Sequence, residues 1–311
     1  TITDLSLRAS YGTQGNSGIA DYAFYQYLAP GYPYDGQTVW ALANPGTPNL
    51  QWEKQGLLTI GANIELWSKL SLEVQYYRRQ TTDMLMDIPQ APSSGFTSLP
   101  GNVGGMRNSG IDVTLNYDIY ASRDWFVNFR ATFNYNKNKL TKLWPGAGDE
   151  VPYGDFMYFV KGEAFPTYYV QEWRGVNPET GEPQWTGADG EVTSEFSEAV
   201  PVNLHKSFVA PYTGGFGVTA QWKGIALTVD FAWVAGNYMV NNNLFFAANS
   251  ENALSGLNQV TEVLDYWKPD DRYGKKYPSL EYSAQAGGGT QFDSRMLEDA
   301  SFLRLKNIQL S

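Results

Sequence analysis

An all-β protein is what this sequence predicts, and three observations carry that expectation. The first is composition: the 311 residues include 31 glycines, and 15% are aromatic. Aromatic side chains suit pleated surfaces and glycine punctuates turns, so the balance favours strands over helices. The second is polarity, because only 17% of the residues are charged, below the quarter or so typical of soluble domains. The third is a period-2 alternation of apolar and polar residues that recurs along the chain, with short and long connections in turn.

The elements justify this in order. "TITDLSLRAS" starts directly in a strand, without the charged and apolar regions of a signal peptide. In "LLTIGANIEL", Leu58, Ile60, Ala62, Ile64 and Leu66 oppose Thr59, Gly61, Asn63 and Glu65. A short connection at Ser68 and Lys69 leads to "LSLEVQYY", where Leu70, Leu72, Val74 and Tyr76 oppose Ser71, Glu73 and Gln75. "GIDVTLNYDIY" sets Ile111, Val113, Leu115, Tyr117 and Ile119 against Asp112, Thr114, Asn116 and Asp118. The turn "ASRD" then gives "WFVNFRATFNYN", with Trp125, Val127, Phe129, Ala131, Phe133 and Tyr135 on one face. "GGFGVTAQW" and "IALTVDFAW" repeat the grammar across the tight turn "KG".

The last stretch, "SFLRLKNIQLS", is a strand with a flaw. Leu303 and Leu305 oppose Arg304 and Lys306, but at Asn307 the phase slips, and Ile308 and Leu310 fall on the charged face. Both ends of the chain read as cut strands, which would leave edges in need of neighbours. Loops are expected at Thr13 to Asn49, Asp87 to Gly105, Thr141 to Phe165 and Asn241 to Asp299, with one short helix as a candidate in "NALSGLNQVTEVLDYW".

Several functions are disfavoured. A net charge of −10 argues against nucleic-acid binding, and the lack of cysteine removes disulfides and thiolate metal sites. The single histidine, His205, reads as a loop residue, and Asp270 and Asp271 read as a solvated turn, because acid–base pairs need opposed rather than adjacent placement. "GNVGG" and "AGGGTQ" lack the Lys-Ser/Thr and the helix of a phosphate loop. No enzymatic constellation and no cofactor site is expected.

Periodicity leaves two architectures open. Short turns at one end, long loops at the other and Trp67, Trp125 and Trp222 beside the turns suit a transmembrane barrel with an aromatic belt. A soluble or surface-exposed all-β glycan-binding protein alternates its faces equally well, with the aromatic residues as core. Glu73, Asp112, Arg130 and Asp230 suit a wet lumen or a solvated sheet surface alike.

An ordered set of motifs separates them. "LSLRASYGTQGN", "NPGTPNLQWEKQ", "VQYYRRQTTDMLMDIP", "NVGGMRNSGIDVTL", "EWRGVNPETGEPQW", "YTGGFGVTAQWKGIALTVDF" and "DASFLRLKNIQLS" resemble, in that order, the later barrel segments of SusC/RagA-type TonB-dependent transporters. The resemblance covers essentially the whole chain. It implies an antiparallel transmembrane β-barrel in the outer membrane of Bacteroidota, of about 22 strands. Residues 1–311 would be the C-terminal portion of that one barrel domain and supply about eight to ten strands, with the plug, the N-terminal strands and the last hairpin outside this chain. It further implies import of oligosaccharides or peptides, a SusD-like surface lipoprotein as lid, a TonB complex engaged through the N-terminal region, and contact with outer-membrane lipid.

In such a barrel Ile111, Val113, Leu115, Tyr117, Phe129, Phe133, Leu227, Val229 and Phe231 are expected to face lipid, and Asp112, Asn116, Arg130 and Asp230 the lumen. Aromatic loop residues offer flat apolar faces to sugar rings, peptide side chains or a lid. The candidates are Tyr25, Tyr27, Tyr32, Tyr34, Trp40, Trp144, Tyr153 and Phe156.

Overall fold

A computed structural model describes residues 1–19, 21–249, 256–283 and 291–311. Eight long strands dominate it: β1 (Ile2–Asn16), β2 (Glu53–Leu66), β3 (Leu70–Pro89), β4 (Ser98–Ala121), β5 (Trp125–Lys142), β6 (Tyr212–Trp222), β7 (Ile225–Ala235) and β8 (Phe302–Leu310). They form one sheet whose spatial order is the chain order, every neighbour antiparallel. The sheet is open, with β1 and β8 at its two edges.

The turns at one end are tight because their residues accept left-handed backbone. Trp67 and Ser68 between β2 and β3 have φ of 55° and 51°, and Lys223 and Gly224 between β6 and β7 have 46° and 91°. Paired positive φ values twist a hairpin in the same sense as its strands. Ser122 closes the turn between β4 and β5, donating its N–H to the Trp125 carbonyl at 2.7 Å.

Register sorts side chains into rows that cross the sheet. Leu72, Leu115, Ala131, Phe216, Phe231 and Leu305 stand side by side on one face. Asn116, Arg130, Gly217, Asp230 and Asn307 make a row on the other. The residues expected to face lipid thus share one face, and those expected to face the lumen share its opposite.

The flaw in the last strand is resolved by a β-bulge. Asp230 pairs with Asn307 and Phe231 with Leu305, so Lys306 is the extra residue. One unpaired residue restores the phase. Leu303, Leu305, Ile308 and Leu310 therefore all stand opposite β7's apolar residues Trp233, Phe231, Val229 and Leu227.

No second sheet covers the apolar face among the described residues. Ile60 remains 50% exposed, and Leu303 and Ile308 62% each. An apolar face of this extent marks a surface that a membrane or another protein covers.

All four loop expectations need correction, since even Asn241 to Asp299 holds a helix at Asn242–Ala247 and a strand at Leu297–Asp299. Asp87 to Gly105 is mostly strand, since β3 runs to Pro89 and β4 begins at Ser98, which places "GNVGG" within β4. Its glycines are packing positions rather than turn positions: a Cβ on Gly104 would lie 2.5 Å from the Met86 sulfur. The stretch Thr13 to Asn49 contains the end of β1 and a ribbon of Tyr27–Pro30 with Trp40–Asn44. Thr141 to Phe165 holds the end of β5 and the strands Glu150–Pro152 and Met157–Val160. The proposed short helix is a single 3-10 turn at Thr261–Leu264 in its described part. Residues 286–290 of "AGGGTQ" lie outside the described residues.

A buried apolar cluster sits at the long-loop end of the sheet, built from the ends of β3 and β5 and the connection after β5. Met84, Met86, Leu140, Leu143 and Phe159 form it, joined by Met106 and Trp144. Met106 and Leu140 are cross-strand neighbours continuing the polar face upward from Asn108 and Asn138. The connection after β5 therefore folds over the polar side of the sheet.

Candidate substrate and partner surface

The polar face is a wall of hydrogen-bonding groups whose charges are largely paired in place. Arg8 reaches across β2 to form an ion pair with Glu73 and donates to Gln75 Oε1 at 3.0 Å. Arg130 pairs with Asp230 and donates to Thr219 Oγ1 at 3.0 Å. Between those partners lies Gly217, where a Cβ would clash with Asp230 Oδ1. The pair lies across β6 because that position has no side chain. Asn128 donates to Asn116 Oδ1 and Asp118 Oδ1, each at 2.8 Å. Asn307 donates to the second Asp230 oxygen at 3.3 Å.

Higher on this face is a concavity of about 410 Å³ lined by Gln75, Tyr77, Arg79, Asn108, Asp112 and Asn136, among others. The Tyr77 hydroxyl donates to Asn136 Oδ1 at 3.0 Å. Amide and hydroxyl groups in this density offer donors and acceptors together, which suits peptide backbone or sugar hydroxyls. Sequence reasoning did not single out these residues as a site. The available signal was parity, since Tyr77 and Arg79 continue the face of Gln75.

The aromatic candidates fall into two groups. Tyr25, Tyr27, Tyr32, Tyr34 and Trp40 lie on the connection between β1 and β2, all exposed, with Tyr32 at 96%. Tyr25 packs on Phe24 with centroids 4.1 Å apart and stacks with Tyr22 at 6.4 Å. With Asp21 and Tyr27, Tyr22 and Tyr25 line a shallow concavity of about 430 Å³. The other three lie in the connection between β5 and β6. Trp144 packs against the buried Met84–Leu140 cluster, Tyr153 stacks on Phe159 at 4.3 Å, and Phe156 stacks on Phe292 at 3.7 Å. The structure does not bring the two groups into one cluster.

The long connections carry their own architecture. Pro201–Asn203, Thr167–Gln171, Met157–Val160 and Glu150–Pro152 form a small sheet, and Trp173–Val176, Pro183–Thr186 and Val192–Thr193 form another. Burial, aided by a hydrogen bond to Glu150, pushes the Tyr169 phenol up, and burial alone raises Tyr168. A buried knot ties the connection after β5 to the one after β7. Asp293 accepts from Trp185 Nε1 at 2.9 Å and from Arg295 Nε and Nη2 at 2.9 and 2.7 Å. The Arg295 guanidinium lies 3.8 Å from the Trp173 ring centroid.

His205 sits in a loop at φ 53° with Nδ1 2.7 Å from Glu163 Oε1. Asp270 and Asp271 lie in a turn closed by reciprocal backbone hydrogen bonds between Lys268 and Asp271. Among the described residues, no group of three or more His, Cys, Asp or Glu is placed to hold a metal.

Comparison with known proteins fits this two-faced sheet. A family model for the TonB-dependent receptor-like β-barrel matches residues 2–293. TonB-dependent receptor P3 of Formosa agariphila is 26% identical over 99% of this chain and 32% of its own length. TonB-dependent receptor SusC of Bacteroides thetaiotaomicron is 23% identical over 99% of this chain and 31% of its own length. A solved structure of the RagAB peptide transporter aligns with a TM-score of 0.87 and 36% identity, covering 99% of this chain and 34% of that one. The RagAB importer in its open-open state aligns at 0.89, with 36% identity over 99% of this chain and 33% of that one. The chain spans about one third of the length of the curated relatives it matches.

Proposed function

The chain belongs to the TonB-dependent receptor-like β-barrel family, and from that premise we propose that it forms part of the wall of an outer-membrane importer of oligosaccharides or peptides. The observation that carries this reading is the uncovered apolar face backed by a hydrogen-bonding polar face over eight strands. Lipid covers the first, and the second lines the lumen. A soluble glycan-binding protein would need a second layer on the apolar face.

Two aromatic rows bound the apolar band. Trp125 and Trp222 pair beside the short turns, with ring centroids 5.9 Å apart. Tyr76, Tyr135 and Tyr212 occupy the row near the long loops, where Tyr135 and Tyr212 stack at 5.3 Å. From Trp125 to Tyr135 is about ten residues, ~33 Å along the strand, which a tilt of roughly 40° projects to ~25 Å. That is the height of a barrel's lipid-facing band.

The short turns then lie on the periplasmic side, and the folded connections stand outside. A SusD-like lipoprotein as partner and energy supplied through a TonB complex are parts of the same proposal. The likeness to the RagAB peptide transporter, at 36% identity, favours peptide as the cargo. The exposed Tyr25, Tyr27, Tyr32, Tyr34 and Trp40, together with Trp144, Tyr153 and Phe156, are proposed as substrate or lid contacts.

The test is uptake by cells carrying the full-length protein, scored by mass spectrometry after feeding mixed peptides and mixed oligosaccharides. Depletion of one class, abolished by dissipating the proton gradient, is expected. Depletion of neither class in cells with folded, surface-exposed protein would refute the importer reading. Affinity purification in mild detergent should recover the lipoprotein, and repeated recovery of the barrel alone would remove it from the proposal.

A further inference from the structure

Above the tyrosine row the outward face changes character. Arg78, Ser109 and Lys137 form the next row, in register with Tyr11 and Leu58. Gln80, Arg107 and Lys139 form the row beyond it, and Lys54, Thr82, Gly105 and Lys142 the third. These rows hold six cations and no carboxylate, in a chain whose formal charge is −10. Lys54 is paired with Asp83 at 2.9 Å, and Arg107 donates to Gln80 Oε1 at 3.0 Å. Arg78, Lys137 and Lys142 are exposed, and among the described residues neither they nor Lys139 makes an ion pair.

A groove of about 620 Å³ opens on the same face beside the basic residues. Gly15 and Gly56 lie beneath its aromatic walls: a Cβ on the first would stand 3.2 Å from Trp52 Cδ1, and on the second 3.1 Å from the Tyr11 hydroxyl. Lys54 and Gln80 also line it. Among the described residues its one basic lining residue, Lys54, is already paired with Asp83, so the groove offers an aromatic wall and a small-residue floor to a lipid chain, while the free cations stand on the neighbouring rows of β3 and β5.

We infer that this rim binds the phosphorylated headgroup of an outer-leaflet lipid, with Arg78, Lys137, Lys139 and Lys142 contacting phosphate just above the tyrosine girdle. The inference rests on the membrane orientation proposed above. Clustered cations beside a membrane boundary attract anionic headgroups. Among the described residues these four cations, standing over a desolvating apolar band, have no ion-pair partner to compete for them.

The test uses full-length protein in phosphatidylcholine nanodiscs containing lipid A, with bound lipid counted by native mass spectrometry. Wild-type protein is expected to retain lipid A at least about tenfold better than its dephosphorylated form. The Lys137→Gln/Lys139→Gln/Lys142→Gln variant should weaken retention about a hundredfold, with the three Lys→Arg changes restoring it. Equal retention of the phosphorylated and dephosphorylated lipids, or of wild type and the Gln variant, would overturn the inference. Displacement by millimolar inorganic phosphate would also overturn it, by identifying a free-anion site. Heat-modifiable migration is scored on every sample. Failure to insert overturns the membrane reading itself, whereas insertion without selectivity for the phosphorylated lipid overturns only the lipid site.

Discussion

Replacing Asp293 by Ala should open the folded connections while leaving the strand wall intact. Asp293 is 0% exposed and Arg295 only 8% as a side chain. The carboxylate accepts from the Trp185 indole, from two guanidinium nitrogens and from the Arg295 backbone N–H at 3.0 Å. Its removal deprives a buried cation of its carboxylate, a loss of about 3–5 kcal/mol. It also removes the acceptor of the Trp185 N–H, a further ~1–3 kcal/mol. These losses share one site and are not additive, so a total of about 4–6 kcal/mol is expected.

The cost is local, because Trp185 lies on Pro183–Thr186 and Asp293 begins the turn at Ser294–Met296, both outside the eight-stranded sheet. Hydrogen exchange of the full-length protein in detergent reads it directly. Protection should fall at Trp173–Val176, Pro183–Thr186 and Leu297–Asp299 and stay unchanged in β3 to β6. The double change Asp293→Asn/Arg295→Met removes both charges and should recover most of the loss, since a neutral pair of similar volume has no ion to strand. Loop protection in Asp293→Ala within about 0.5 kcal/mol of wild type would refute the reasoning, as would a double variant no better than the single.

Val229→Arg places a cation near mid-height of the apolar face, beside Val218 and Ile308. It should cost about 2–4 kcal/mol, read by urea unfolding in lipid vesicles, and a loss below about 1 kcal/mol would contradict a lipid-facing position. Gly217→Ala drives a methyl into Asp230 Oδ1 and should cost about 1–3 kcal/mol by displacing the Arg130 pair, whereas Gly12→Ala, with open space around its Cβ, should be within about 1 kcal/mol of neutral in the same assay. Burial raises the Tyr168, Tyr169 and Tyr277 phenols above their ordinary 10.0, and Glu262 raises Lys276 above 10.5. Because the folded values lie above the unfolded ones, this stabilisation is complete below about pH 10 and is lost as pH rises through the folded values. Alkaline titration should therefore loosen the connections with a late tyrosinate signal, and simple titration of all three phenols near pH 10 would argue against it.

The sequence by itself determined the faces. Alternation from Leu58 to Trp233 names the apolar and polar sides of each strand correctly, because side-chain direction in a strand has period two and needs no tertiary information. The tight turn at Lys223–Gly224 was legible locally, the one expected at Ser68 and Lys69 begins a residue earlier with left-handed backbone at Trp67 and Ser68, and the motif order pointed to the family that the comparisons show. The bulge at Lys306 was half legible: the slip at Asn307 was visible, but its resolution depended on pairing with Asp230 and Phe231, a partner strand about 75 residues upstream.

What only the tertiary structure decided concerns groups distant in sequence. The strand character of much of Asp87 to Gly105 was hidden because its prolines and glycines imitate a loop, and the glycines are explained only by the side chains of Ile88, Met86 and Thr141 that lie against Gly101, Gly104 and Gly105. The Asp293–Arg295–Trp185 knot joins residues more than 100 positions apart, with no local pattern to announce it. The basic rim exists only in register, because Arg78, Arg107 and Lys137 stand on three different strands and become neighbours through cross-strand pairing. Periodicity gives each residue a side of the sheet, whereas long-range pairing gives it neighbours, and binding surfaces are made of neighbours.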